Sequence, residues 1–210
     1  MNESEWQIEF ERSIAPYRIA PDSPPYPDGS VITSLDEAVA KLQSAVEWEV
    51  KFEPRELVEN ENWWYIPFCW IGCAGYIVDK FDGYINQLGS CHPMDACFWG
   101  HNQNIKYGYS DLTINQINNY DATISTLMKM GNRAPTNPIP NKTNSDGNQT
   151  EFFTESDIKQ HLEMLPSTFE NQRLWFTIPA LKKSAENNDF EFVVSRGSWD
   201  MLPNNGGIAG

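Results

Sequence analysis

The stretch Trp63 to Leu88 constrains the fold more than any other, because aromatic and β-branched residues dominate it and its breaks fall where strands turn. Tyr76-Ile-Val-Asp-Lys-Phe-Asp-Gly-Tyr-Ile85 reads as strand, turn, strand, with Asp82-Gly83 supplying the left-handed backbone position that a tight hairpin needs. Pro67, Gly72 and Gly75 predict a bulged or interrupted strand before it. Upstream, Ser34-Leu-Asp-Glu37 has the spacing of a capping box, and Leu35, Val39, Leu42 and Val46 recur at helical intervals. A helix over about 34–50 then packs its apolar side on the sheet. The fold class that follows is α+β: an antiparallel meander with helices packed on one face.

Elsewhere the pattern is less strict. Residues 97–109 predict a further strand, and 112–130 a helix that buries Ile114, Ile117, Ile124, Leu127 and Met128 and ends at Gly131. A short helix near 155–165, a strand at Leu174–Ile178, a small helix near 180–187 and a strand at Phe190–Ser195 follow. A single domain over 1–210 is expected, the last part packing onto the first sheet. Within it, 14–33 forms a proline-rich strap, 131–150 a flexible loop rich in Asn, Pro, Thr and Ser, and 203–210 a frayed tail.

With 15 Lys+Arg against 29 Asp+Glu, the formal charge of -14 repels phosphate backbones and anionic headgroups, so nucleic acid and membrane surfaces are poor partners. The same field draws in a basic protein. The N-terminus lacks a basic region followed by an apolar run, and no stretch of ~18 apolar residues exists, so the reading is a cytoplasmic protein with reduced cysteines. The densest acid is Glu47, Glu49, Glu53, Glu56, Glu59 and Glu61, against Lys51 and Arg55, and Trp63 and Trp64 follow at once. Aromatic anchors inside a charged surround are the usual make-up of an interface, so these eight residues are the candidate partner-binding set.

Chemistry has one other foothold. Cys69, Cys73, Cys91, His92, Cys97 and His101 are metal-ligand types, but on one continuous strand Cys69 and Cys73 stand roughly 13 Å apart, too far to share a zinc, and neither metal nor cofactor is expected. Cys91 or Cys97 paired with His92 or His101 and oriented by Asp95 is the alternative, a small thiol-dependent or metal-dependent enzyme. Asp79 and Asp82 are read as turn formers, and a non-catalytic adaptor is a third reading.

Trp70-Ile-Gly-Cys-Ala-Gly-Tyr-Ile-Val-Asp-Lys-Phe-Asp-Gly-Tyr-Ile-Asn-Gln-Leu-Gly-Ser90, preceded by a capped helix, resembles the bacterial immunity proteins that neutralise secreted polymorphic toxins. The resemblance implies a stoichiometric inhibitor that binds a cognate toxin domain and blocks its active site. Many such domains are basic nucleases, for which the acidic surface would imitate phosphate; a toxin that attacks NAD or protein targets fits the resemblance equally well.

Overall fold

The computed structural model describes residues 3–17, 30–52, 56–70, 73–106, 109–129, 133–135 and 150–197. Two compact units emerge, one within residues 1–98 and one within 99–206.

The first unit is built on the four-stranded antiparallel sheet β1-β2-β3-β4. Its strands are β1 (Val58–Glu59), β2 (Trp63–Trp70), β3 (Cys73–Asp79) and β4 (Ile85–Gly89), a meander as expected. Trp64 lies opposite Val78 and Ile66 opposite Tyr76. The register slips between Pro67 and Trp70 and again between Cys73 and Gly75, at the residues whose chemistry predicts bulges. Cys69 and Cys73 fall on different strands, so the distance argument that placed them on one strand does not apply.

Helix α2 (Leu35–Gln43) covers one side of this sheet, its Ala38 and Leu42 packing with Trp64, Ile66, Tyr76 and Val78. Ser34 caps it by accepting from the Glu37 backbone N–H at 3.2 Å. The Glu37 carboxylate reaches past Ser34 to Thr33, accepting from its N–H at 2.6 Å and its hydroxyl at 2.9 Å, which holds that carboxyl below its usual range. The helix stops at Gln43 rather than near 50, because the Gln43 carboxamide turns back to bond Trp48 O and Val50 N, both at 2.8 Å. Trp48 then stacks on Phe68 with ring centroids 5.4 Å apart.

The opposite side carries a second aromatic layer. Trp63 and Phe98 stack at 5.1 Å, Tyr65 meets Phe98 edge-on at 5.2 Å, and Phe10 of α1 (Glu3–Ile14) lies 6.3 Å from Tyr65. Tyr17, on the 3-10 turn Ala15–Tyr17, packs on Phe98 at 5.3 Å and donates to Asp95 O at 3.0 Å. The strap therefore opens helically; its residues 18–29 lie outside the described residues.

The second unit holds the three-stranded antiparallel sheet β8-β5-β9 and a β6-β7 pair. Here β5 is Ser110–Ile117, β8 Ser167–Gln172 and β9 Phe190–Arg196, while β6 (Arg133–Pro135) pairs with β7 (Thr150–Phe152). The helices are α4 (Tyr120–Lys129), α5 (Glu155–His161) and α6 (Ile178–Glu186). Thr126 of α4 and Ser184 of α6 share a buried hydroxyl hydrogen bond at 2.8 Å. The strands after residue 160 flank β5 and do not extend the first sheet. Beside β9, Asn104 sits at φ +63° and donates its carboxamide to Val194 O at 3.1 Å.

Three expectations are corrected. Residues 97–109 begin within helix α3 (Met94–Asn102), whose Ala96, Cys97, Phe98, Gly100 and His101 are all buried, leaving no apolar stripe to read. The helix expected from 112 starts only at Tyr120: Leu112 and Ile114 alternate on a strand, and a bulge between Ile114 and Gln116 shifts Ile117 into a three-residue spacing that imitates a helix. Its Met128 is exposed, not buried. Leu174–Ile178 is a 3-10 turn that runs into α6, where Pro179 takes the first helical turn and so sacrifices no internal bond. The loop residues 136–149 and the tail 203–210 lie outside the described residues.

Candidate functional site

The eight candidate residues differ in exposure. Trp63 is 1% and Trp64 6% exposed, so both are core residues and not partner anchors; strand alternation sends one ring to each covered side of β2. Glu47, Glu49 and Glu61 are exposed, and Glu49 forms a surface ion pair with Lys51 at 2.7 Å. Glu56 is half-buried, and Glu53 lies outside the described residues.

Glu59 has an internal task. Lys80 is completely buried, and its ammonium donates to Glu59 Oε1 at 2.7 Å and to Asn60 O at 2.6 Å while standing 4.9 Å from the centre of the Trp64 ring. Burial lowers the Lys80 pKa, and Glu59 opposes that shift. Glu59 is thus the counter-ion of a buried cation, and removing it leaves an uncompensated charge inside the protein.

Lys80 also ties three pieces of chain together through its backbone. Its carbonyl accepts from Val31 N at 2.9 Å and Ile32 N at 3.0 Å, and its N–H donates to Asn62 O at 2.8 Å. The turn that follows is braced by Asp79, whose carboxylate accepts from Phe81 N at 2.8 Å, and by Asp82, which accepts from Tyr84 N at 2.8 Å. Both aspartates therefore serve the turn, and Gly83 has φ +68° as the hairpin requires.

Of the cysteine and histidine set, Cys97 and His101 are core residues. Cys97 is fully buried and its thiol is pushed up to about 12, chiefly by burial and then by Cys91 and Asp95, so it holds almost no thiolate near neutrality. Cys91 is exposed. His101 is 5% exposed, and burial together with the nearby Lys106 charge pushes it down to about 3, so it is a neutral core imidazole. Among the described residues no group of three or more His, Cys, Asp or Glu side chains converges on a point that suits a metal ion.

The buried imidazole has a measurable consequence. Unfolded, His101 takes up a proton near its ordinary pKa of about 6.5, whereas the folded form resists protonation down to about 3. The unfolded chain thus binds more protons in between, so this contribution is complete above pH 6.5 and is lost as pH falls towards 3. Between pH 6 and 4 the slope approaches ~1.4 kcal/mol per pH unit. In His101→Gln that part of the slope is expected to vanish in urea titrations of the second unit; equal slopes for variant and parent contradict the assignment.

No helix among the described residues is long and apolar enough to cross a membrane. No family model, curated protein or solved structure matches this chain.

Proposed function

We propose that this chain is an immunity-type inhibitor, a cytoplasmic protein that binds a basic toxin domain and performs no chemistry of its own. The observation that carries this reading is the division of its acids. Glu59 neutralises a buried lysine and Asp79 and Asp82 brace a turn, yet Glu47, Glu49 and Glu61 remain exposed on a chain of formal charge -14. Exposed like charge costs folding energy through self-repulsion and repays it when a positive surface docks. The deeply buried Cys97 and His101 weigh against a thiol enzyme built on those two, since neither presents a reactive group to a substrate.

The test uses the protein encoded next to this chain's gene, since an inhibitor and its toxin are inherited together. Co-expression is expected to rescue growth, and the two chains to co-purify. Glu47→Lys with Glu49→Lys and Glu61→Lys is expected to weaken that binding by about tenfold or more and to flatten its salt dependence, at unchanged melting temperature. Turnover of a substrate by the isolated chain contradicts the proposal.

A further inference from the structure

Trp63 and Trp64 are removed from any interface by their burial, which leaves the acidic surface without the apolar anchors that carry most of the binding energy in protein interfaces. The structure supplies others. Phe81 is 61% exposed and Val31 60% exposed, and their backbones are neighbours in the first unit because Val31 N bonds the carbonyl of Lys80, the residue next to Phe81. An exposed phenylalanine costs hydration free energy, and here the backbone holds it outward: Phe81 N is bound to the Asp79 carboxylate, and the flanking Lys80 is locked from three directions. The backbone beneath the ring is fixed before binding, so docking orders little backbone there.

The surround is acidic. Exposed Asp82 follows in the same turn, and exposed Glu61 adjoins Asn62, whose carbonyl accepts from Lys80 N. Lys80 itself is buried against Glu59, so its charge does not reach this surface. Lys41 brings one basic side chain beside the turn, with its ε-carbon 3.5 Å from where a Gly83 Cβ would stand.

The geometry points to a docking surface around this turn, with Phe81 and Val31 as anchors and Asp82 and Glu61 as rim, whose occupant is an apolar pocket ringed by Lys or Arg on a basic protein. Apolar insertion supplies the affinity, and the rim carboxylates select a positive partner over a negative one. This inference rests on the reading of the chain as an inhibitor of a basic domain, and it names which face does the work.

Phe81→Ala and Val31→Ala leave every backbone bond around the turn in place, so both are expected to fold normally. Titrated against the purified domain encoded beside this chain's gene, Phe81→Ala is expected to raise Kd about 30-fold or more and Val31→Ala about fivefold, whereas Met164→Ala, an exposed apolar residue of the second unit, leaves it unchanged. If the parent chain binds and Phe81→Ala binds equally well, this surface is wrong and the inhibitor reading stands. If the parent chain does not bind that domain, the inhibitor reading fails, and a photo-reactive benzoylphenylalanine at position 81, irradiated in the native cells, decides the surface alone. An adduct identified as a basic protein, lost when Glu61→Lys and Asp82→Lys are added, upholds the docking surface; no adduct, or one insensitive to those changes, overturns it.

Discussion

Gly75→Ala is expected to destabilise the first unit by roughly 4 kcal/mol, combining overpacking and backbone strain that each typically cost 1–3 kcal/mol. Gly75 has φ +138°, a conformation that side chains other than hydrogen rarely adopt. A methyl group there stands 2.5 Å from Tyr65 Cε2 and 2.9 Å from Ile66 O. The ring cannot simply swing away, because the Tyr65 hydroxyl donates to Ala74 O at 2.6 Å and its other side meets Phe98. A loss of that size is a large part of the ~5–15 kcal/mol that holds a typical domain together. Thermal denaturation followed by near-ultraviolet circular dichroism measures it, and a fall in Tm of less than about 5 °C contradicts the close approach.

Trp63→Ala is the second large effect, about 3–5 kcal/mol, because it empties a fully buried indole from the layer formed with Tyr17 and Phe98. The measurement separates two roles that the primary structure leaves confounded. A core residue lowers the midpoint of urea unfolding, whereas an interface anchor leaves the midpoint alone and raises the Kd for a partner. The structure predicts the first outcome, and a Trp63→Ala protein as stable as its parent contradicts it.

The hairpins were legible because their chemistry is local. Asp82-Gly83 specifies its turn within a few residues, Pro67 and Gly75 mark bulges that the register confirms, and the Ser34 cap marks the start of α2. The errors arise where one residue's role is set by distant chain. The bulge in β5 disguised a strand as a helix, and the all-round burial of α3 erased the stripe by which helices are recognised. Nothing near Gln43 announces that its side chain will reach Trp48 and Val50 and end the helix.

Three members of the candidate set turn out to serve the core for the same reason. Proximity in sequence joined the 47–61 acids to Trp63 and Trp64, but alternation along β2 buries both rings, and a lysine about twenty positions away claims Glu59. Phe81 was visible only as part of a turn. What could have singled it out is its place between two turn-forming aspartates, where a large apolar side chain has no covered face to enter.

The carboxamide of Asn104 bonds Val194 O on β9, which is an edge strand among the described residues. A bare rim of peptide groups invites another chain to zip alongside and start a fibril, and plugging one carbonyl with a side chain breaks the repeat that such templating needs. Asn104 thus takes one acceptor away from any strand that would add to this edge.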